Sequence, residues 1–142
     1  MGYTPCARGC SPMAKAVPGG WEVRYYAVPG ENPPFRTWFR SLADRSGRVK
    51  IEARITRLRQ SGHCGRCKPV GEGVMELVID SGPGYRIYYA KEGTSIVLLL
   101  CGGDKSTQRV DIECAKSYWK EHKQRLGRGS ASGVKSGNKN IY

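Results

Sequence analysis

The alternation of apolar and polar positions predicts three consecutive strands in the second half of the chain. Val74–Asp80 places an apolar side chain at every second position, the period of a half-buried strand. Tyr85–Ala90 follows a cluster of turn-forming residues and is rich in aromatic and branched side chains. Thr94–Cys101 contains an almost unbroken apolar run, so both of its faces need cover. Because the connections are short, we predict an antiparallel meander whose last strand lies inside a sheet.

The rest of the pattern predicts one further strand and three helices. Trp21–Val28 is typical of a strand, whereas apolar residues recur at helical spacing over residues 35–42, 51–58 and 110–119. Residues 63–73 are expected to form a loop. The order β-α-α-β-β-β-α predicts an α+β fold, in which a small, mostly antiparallel sheet carries an N-terminal helical hairpin on one face and a C-terminal helix.

Composition divides the 142 residues into one domain and two tails. Residues 1–20 mix glycine, proline and cysteine without a period, and we expect a flexible leader. Residues 21–126 hold all the predicted elements, and residues 127–142, rich in glycine, serine, lysine and asparagine, are expected to form a disordered basic tail. No apolar run approaches the roughly 18–20 residues that span a bilayer, and no signal peptide is visible. We therefore expect a cytoplasmic protein.

The charge balance indicates a polyanionic partner. Lysine and arginine number 24 against 12 acidic residues, a net charge of +12. Nucleic acid, the ribosome or an acidic protein would suit such a surface. On the second predicted helix, Lys50, Arg54 and Arg57 fall on one face, with Glu52 almost the only acid nearby. That face is either a solvated helix surface or a positive field for a ligand.

The cysteine spacing leaves three alternatives open. Cys64-x-x-Cys67 has the spacing of a metal or redox pair, and Cys6 and Cys10 could complete a zinc site. Because there is only one true CxxC, we favour ordinary loop residues over zinc or redox chemistry. We expect no metal and no cofactor.

Arg86 is the residue that the meander leaves on an unexpected face. If Tyr85, Ile87 and Tyr89 point into the core, Arg86 points to the second face of the sheet, near Glu76 of the neighbouring strand. One interpretation is a cross-strand ion pair on a solvated face. The other is that Arg86 lines a concave site for an anionic ligand.

Several segments resemble one known family. Gly71–Leu77, Gly82–Tyr89 and Leu99–Gln108 are similar to segments of the RelE/ParE superfamily, the toxins of bacterial toxin–antitoxin modules. The similarity is greatest to the phage-derived, HigB-like addiction module killer proteins. It covers about residues 21–123, and the GPGYR and GGDK segments at this spacing are its most specific part.

The resemblance implies a RelE-like fold and a type II toxin held inactive by a cognate antitoxin, often a HigA-like helix-turn-helix protein. Many relatives are ribosome-dependent mRNA endonucleases (mRNA interferases) that cut mRNA on the ribosome without metal and so inhibit translation. Carried over by motif, Arg86 would clamp the scissile phosphate, and Lys105 and Lys68 would add positive charge. Glu76 is a candidate base. The expected RNA contacts are Arg54, Arg57, Lys50, Tyr88 and Gln108.

Some positions depart from the cutting relatives. Glu76 and Val78 stand where the best-known cutters have lysines, and Asp111 stands near the place of a tyrosine. The general acid and base are therefore unassigned. Two alternatives follow from that gap: a non-catalytic, ParE-like poison of DNA gyrase, and an RNA-binding remnant without catalysis.

Overall fold

The computed structural model describes residues 20–131, with side chains described as far as residue 127. Most of the expected leader (residues 1–19) and residues 132–142 of the expected tail lie outside this range. Residues 127–131, which the sequence assigned to the tail, continue the last helix. None of the helices in the described range is long and apolar enough to cross a membrane.

The described residues form an α+β fold with a single five-stranded sheet and three α-helices. In chain order the elements are β1 (Glu22–Tyr25), α1 (Pro34–Ser41), α2 (Arg45–Ser61), β2 (Cys67–Gly71), β3 (Val74–Ile79), β4 (Tyr85–Glu92), β5 (Ile96–Asp104), a 3₁₀ turn (Lys105–Thr107) and α3 (Gln108–Ala131).

The sheet has the strand order β1-β5-β4-β3-β2. β1 lies parallel to β5, and every other pair is antiparallel. The predicted meander is confirmed as β3-β4-β5, and β5 lies inside the sheet as its apolar run required. The expectation of a loop over residues 63–73 was wrong, since β2 forms there as an edge strand that places Lys68 opposite Glu76.

Both faces of the sheet are covered. On the first face, α1 and α2 pack against strand residues that include Leu77, Ile87 and Leu99. On the second face, α3 packs through Ala115 and Trp119 on Val74, Tyr88, Ala90, Leu98 and Leu100. Because side chains alternate along each strand, every strand can contribute residues to both layers. The predicted position of the helical hairpin on one face is confirmed.

α1 approaches the sheet closely because of a glycine in β5. Pro34 occupies the first turn of α1, where a missing N–H costs nothing. Phe35 and Trp38 face the core, and a Cβ added at Gly102 would overlap the indole of Trp38. The absence of a side chain at Gly102 therefore sets the distance between α1 and the sheet.

α2 begins at a cap that also contacts β4. The Asp44 carboxylate accepts hydrogen bonds from the Gly47 N–H at 3.0 Å and from the Tyr85 hydroxyl at 2.9 Å. These two bonds lower the pKa of Asp44, the Gly47 bond most. At the other end, Gly62 adopts a left-handed conformation with φ of 77° and closes the helix.

The cysteine pair near β2 is oxidised. Cys64 and Cys67 form a disulfide, while Cys101 and Cys114 are free, Cys101 being buried. Within residues 20–131, no group of three or more histidine, cysteine or acidic side chains is placed to hold a metal ion. Cys6 and Cys10, which the zinc alternative required, lie outside the described residues.

Candidate functional site

A cluster of charged and polar side chains lies on the α3 face of the sheet, where β2, β3 and β4 meet the beginning of α3. Lys68, Glu76 and Tyr88 stand opposite one another across the three strands. Arg86 lies two residues before Tyr88, so its side chain emerges on the same face. The first residue of α3, Gln108, reaches Glu76 from above the sheet.

Glu76 is the centre of this cluster and is completely buried. Its Oε2 accepts hydrogen bonds from the Tyr88 hydroxyl at 2.9 Å and from Gln108 Nε2 at 2.7 Å. The interpretation of this face as solvated was therefore wrong at Glu76, because α3 covers it. A buried carboxylate persists only where donors and cations compensate the lost hydration.

Two cations provide that compensation. Lys68 Nζ lies 3.7 Å from Glu76 Oε1, and Arg86 Nε lies 3.9 Å from Glu76 Oε2. The expected proximity of Arg86 to Glu76 is thus confirmed, but at these lengths the contacts are ion pairs rather than hydrogen bonds. Both Arg86 Nε and Glu76 Oε1 are buried without a hydrogen-bond partner in the described structure. Glu76 orients Arg86 without occupying its donors.

Lys105 joins the cluster across a turn. A Cβ added at Gly84 would lie 3.6 Å from Arg86 Nη1 and 3.8 Å from the Cβ of Lys105. Gly84 has φ of 85°, a conformation that glycine adopts at little cost. The Arg86 guanidinium and the base of the Lys105 side chain therefore both border Gly84. All four residues predicted to be catalytic (Arg86, Lys105, Lys68 and Glu76) lie in this region.

Solvent exposure of the side chains increases from the centre of the cluster to its rim. The side chains of Lys68 and Arg86 are 62% and 14% exposed, and Lys105 is exposed. Tyr88 is fully buried, and burial, together with its hydrogen bond to Glu76, raises the pKa of its phenol. Tyr88 is therefore a neutral donor beneath the surface. Its burial contradicts the expectation that it contacts RNA directly.

The Arg54 side chain is bonded to backbone carbonyls of the protein itself. Its Nη1 donates to the Val78 carbonyl at 2.9 Å, and its Nη2 donates to the Cys64 and Arg66 carbonyls at 2.8 and 3.2 Å. Desolvation is the main cause that lowers the pKa of Arg54. These bonds attach the α2–β2 connection to the sheet and engage both Nη atoms, while Nε is buried without a hydrogen-bond partner in the described structure.

The predicted RNA contacts are therefore divided between two sides of the molecule. Gln108 and the buried Tyr88 belong to the Arg86 cluster. Lys50 and Arg57 are exposed on α2, which covers the opposite face of the sheet. The link between Glu76 and Gln108 was missed by sequence reasoning. No local signal connects two residues that are 32 positions apart and belong to different elements.

The acidic side chains that flank the described cluster already have partners within the protein, and Asp80 pairs with Arg66. Asp111, in the first turn of α3, accepts a hydrogen bond from the Thr107 hydroxyl at 2.5 Å, and its burial is the main cause that raises its pKa. Asp104 caps the 3₁₀ turn through the Ser106 N–H. His63 is exposed in the connection between α2 and β2. The geometry thus suits the binding of a phosphate group better than proton transfer.

Comparison with known proteins places the chain in a family. The model of the phage-derived protein Gp49-like family matches residues 37–120. The chain belongs to this Gp49-like family. An uncharacterized protein of Haemophilus influenzae is 49% identical over 82 residues, which cover 58% of this chain and 82% of that relative. The Gp49-like match spans the whole Arg86 cluster, from Lys68 to Gln108.

Proposed function

We propose that this Gp49-like protein is the toxin of a type II toxin–antitoxin module and acts as a ribosome-dependent mRNA endonuclease. The observation that carries the proposal is the Arg86 guanidinium, which lies 3.9 Å from the buried Glu76 carboxylate, with Lys68 at the other oxygen of that carboxylate and Lys105 across Gly84. Family membership supports the toxin assignment, since Gp49-like proteins are grouped with killer proteins of toxin–antitoxin modules. A target in translation implies action in the cytoplasm.

The proposed chemistry is transesterification within the RNA. The 2′-hydroxyl attacks the adjacent phosphorus, the bond to the 5′-oxygen breaks, and the proton lost by the 2′-hydroxyl is balanced by one gained at the leaving oxygen. Arg86, Lys68 and Lys105 would stabilise the charge that builds up on the phosphorane oxygens. Donors already held in place stabilise such charge without reorganising during the reaction.

In this proposal Glu76 is a positioning residue rather than the base. Its carboxylate is inaccessible to solvent, and Oε2 already accepts two hydrogen bonds. The proton acceptor would then come from outside the described cluster, from the ribosome–mRNA complex or from water that it holds. A cation site that lacks its own base is consistent with activity that depends on the ribosome.

The test is to induce the full-length chain from a tightly regulated promoter and to map the 5′ ends of cellular mRNA. We expect growth arrest and new 5′ ends inside translated frames, and we expect Arg86→Ala to abolish both. Arg59→Ala is the matched control, because Arg59 is an exposed arginine of α2, on the opposite side of the sheet. Growth arrest that persists in Arg86→Ala would exclude this site. No arrest by the wild-type chain would indicate an RNA-binding remnant.

A second candidate is a non-catalytic poison of DNA gyrase. The engagement of the flanking carboxylates with other protein groups favours it, because binding to gyrase needs no proton transfer. Growth arrest with intact mRNA and induced DNA-damage signalling would support this candidate. Unchanged supercoiling by purified gyrase in the presence of the protein would exclude it.

We also propose that an acidic antitoxin, of the HigA-like helix-turn-helix class, binds this protein. The net charge of +12 favours an acidic partner segment that orders on binding. Co-expression with the neighbouring small gene should relieve growth arrest, and its product should co-purify. A product that neither relieves the arrest nor co-purifies would refute the pairing.

A further inference from the structure

A second concave basic site lies on the same face of the sheet as Arg86. It is an open cavity of about 530 Å³ between α3 and the turn that joins β2 to β3. Its lining consists of Glu72, Gly73, Lys116, Trp119, Lys120 and Lys123. Nothing in the proposed cleavage chemistry requires this cavity, so its positive charge calls for a separate explanation.

Three lysines give the cavity its charge. Lys116, Lys120 and Lys123 are spaced by four and three residues, which places them on one side of α3. In the described part of the chain none of the three lies within ion-pairing distance of a carboxylate. Glu121 pairs with Arg125, and Glu92 with His122. Glu72 is the acid in the cavity lining, which leaves the three lysines with an excess of two positive charges.

The cavity has a fixed floor. Trp119 is 8% exposed and packs in the core beneath α3, and Lys123 Nζ lies over its ring at 5.3 Å from the centroid. A Cβ added at Gly73 would lie 2.9 Å from Trp119 Nε1, so a glycine there allows the turn to close onto the ring. A Cβ at Gly71 would lie 3.3 Å from Lys116 Nζ. The turn and the lysines are thus held close together.

The geometry connects this cavity to the Arg86 cluster. Gln108, at the start of α3, contacts Glu76, and Lys116 lies beside the β2–β3 turn. At the rise of an α-helix, the backbone distance from Gln108 to Lys116 is about 12 Å, with about 10 Å more to Lys123. Several nucleotides of an extended strand would bridge this distance. The lysines are therefore within reach of a polyanion bound at Arg86.

We propose that Lys116, Lys120 and Lys123 bind backbone phosphates of the RNA strand whose scissile phosphate lies at Arg86. This inference rests on the proposed function for the identity of the strand. Ammonium groups in a row match a ligand with regularly repeated charge, as in a nucleic acid backbone. An acidic peptide fits less well, because Trp119 is only 8% exposed and presents little apolar surface inside the open cavity.

The experiment measures binding without cleavage. Purified full-length protein carrying Arg86→Ala is titrated into a fluorescein-labelled ten-nucleotide single-stranded RNA over a range of salt concentrations. The test variant adds K116Q, K120Q and K123Q. The matched control adds R40Q, R45Q and R59Q instead, which removes the same charge from exposed positions of α1 and α2. Circular dichroism and urea midpoints establish that all three proteins are folded.

We expect the K116Q/K120Q/K123Q variant to bind the RNA at least about tenfold more weakly than its parent at moderate salt. The slope of log affinity against log salt should fall by about 2, since each phosphate contact to a single strand contributes about 0.7. The control should keep the slope of the parent. Equal losses of RNA affinity in both variants would show that the effect depends only on net charge, and would overturn the proposal.

Two further outcomes separate this site from the proposed cleavage function. A mononucleotide in tenfold excess over the strand should not displace it, and displacement would mean that the lysines bind single phosphates rather than a backbone. If the test variant loses RNA binding but Arg86→Ala alone remains fully toxic, the lysine site is supported and the cleavage function is refuted. Normal binding by the test variant would refute the lysine site, whatever Arg86→Ala does.

Discussion

Gln108 Nε2 donates a 2.7 Å hydrogen bond to Glu76 Oε2 and so joins the first residue of α3 to the middle of β3. The same carboxylate oxygen accepts the Tyr88 hydroxyl, and both neighbouring cations depend on the position of this carboxylate. A helix terminus is therefore part of the support for Arg86. The orientation of the candidate site depends on how α3 docks on the sheet.

Replacing Gln108 with leucine should destabilise the protein by about 1–3 kcal/mol, because a buried carboxylate loses one of its two donors. Urea unfolding at pH 7 measures the loss. Gln60→Leu, at an exposed position of α2, should change the stability by less than about 0.5 kcal/mol. Equal effects of the two substitutions would contradict the role given to Gln108.

Gly102→Ala should destabilise the protein by about 1–3 kcal/mol, since the added methyl group would overlap the Trp38 indole. The loss should shrink by about 1 kcal/mol or more when Trp38 is first replaced by leucine, because the two positions are in contact. A double-mutant cycle measured by thermal or urea unfolding provides the comparison. Strict additivity of the two substitutions would show that the contact is absent.

Arg54→Lys should lower stability by about 1–3 kcal/mol, because a single ammonium cannot reproduce bonds to three carbonyls held in a fork. Hydrogen exchange should also become faster in the connection between α2 and β2. Arg57→Lys, at an exposed position of the same helix, is the control and should be neutral. An Arg54→Lys protein of wild-type stability that binds RNA poorly would instead support the direct RNA contact expected from the sequence.

The Asp44 cap should make stability depend on pH in the acid range. Because the folded state lowers the pKa of Asp44 below its ordinary value of 3.8, its contribution is fully present above that pH. It is lost as the pH falls through the lower, folded-state pKa. Asp44→Asn keeps an acceptor for the Gly47 N–H but does not titrate, so the difference in unfolding free energy between wild type and variant should shrink towards pH 2. A constant difference across this range would refute the assignment.

The sequence alone was sufficient to predict the helices and strands whose residue pattern depends only on neighbouring positions. The aromatic spacing of α1, the apolar run of β5 and the turn residues before Tyr85 each determine one element through nearby residues. β2 was missed because Lys68-Pro69 interrupts any apolar alternation. The structure explains the proline: an edge strand tolerates a residue without an N–H.

The candidate site was predictable in its charges but not in its burial. The alternation in β3 correctly placed Glu76 on the same face as Arg86. Whether that face was solvated depended on α3, which begins more than 30 residues later and places Gln108 over the carboxylate. The carbonyl bonds of Arg54 could not be predicted for a related reason. The carbonyls belong to a connection and a strand whose positions only the tertiary fold determines.

The parallel pairing of β1 with β5 has a consequence for synthesis. Residues 22–25 find their partners only at residues 96–99, so β1 has no neighbour in the sheet until most of the chain has left the ribosome. Gln108 emerges later still, and the carboxylate that orients Arg86 is covered only then. The cation cluster is therefore completed only after Gln108 has emerged. Under the proposed function, this order of folding delays the assembly of the site relative to the synthesis of Arg86 itself.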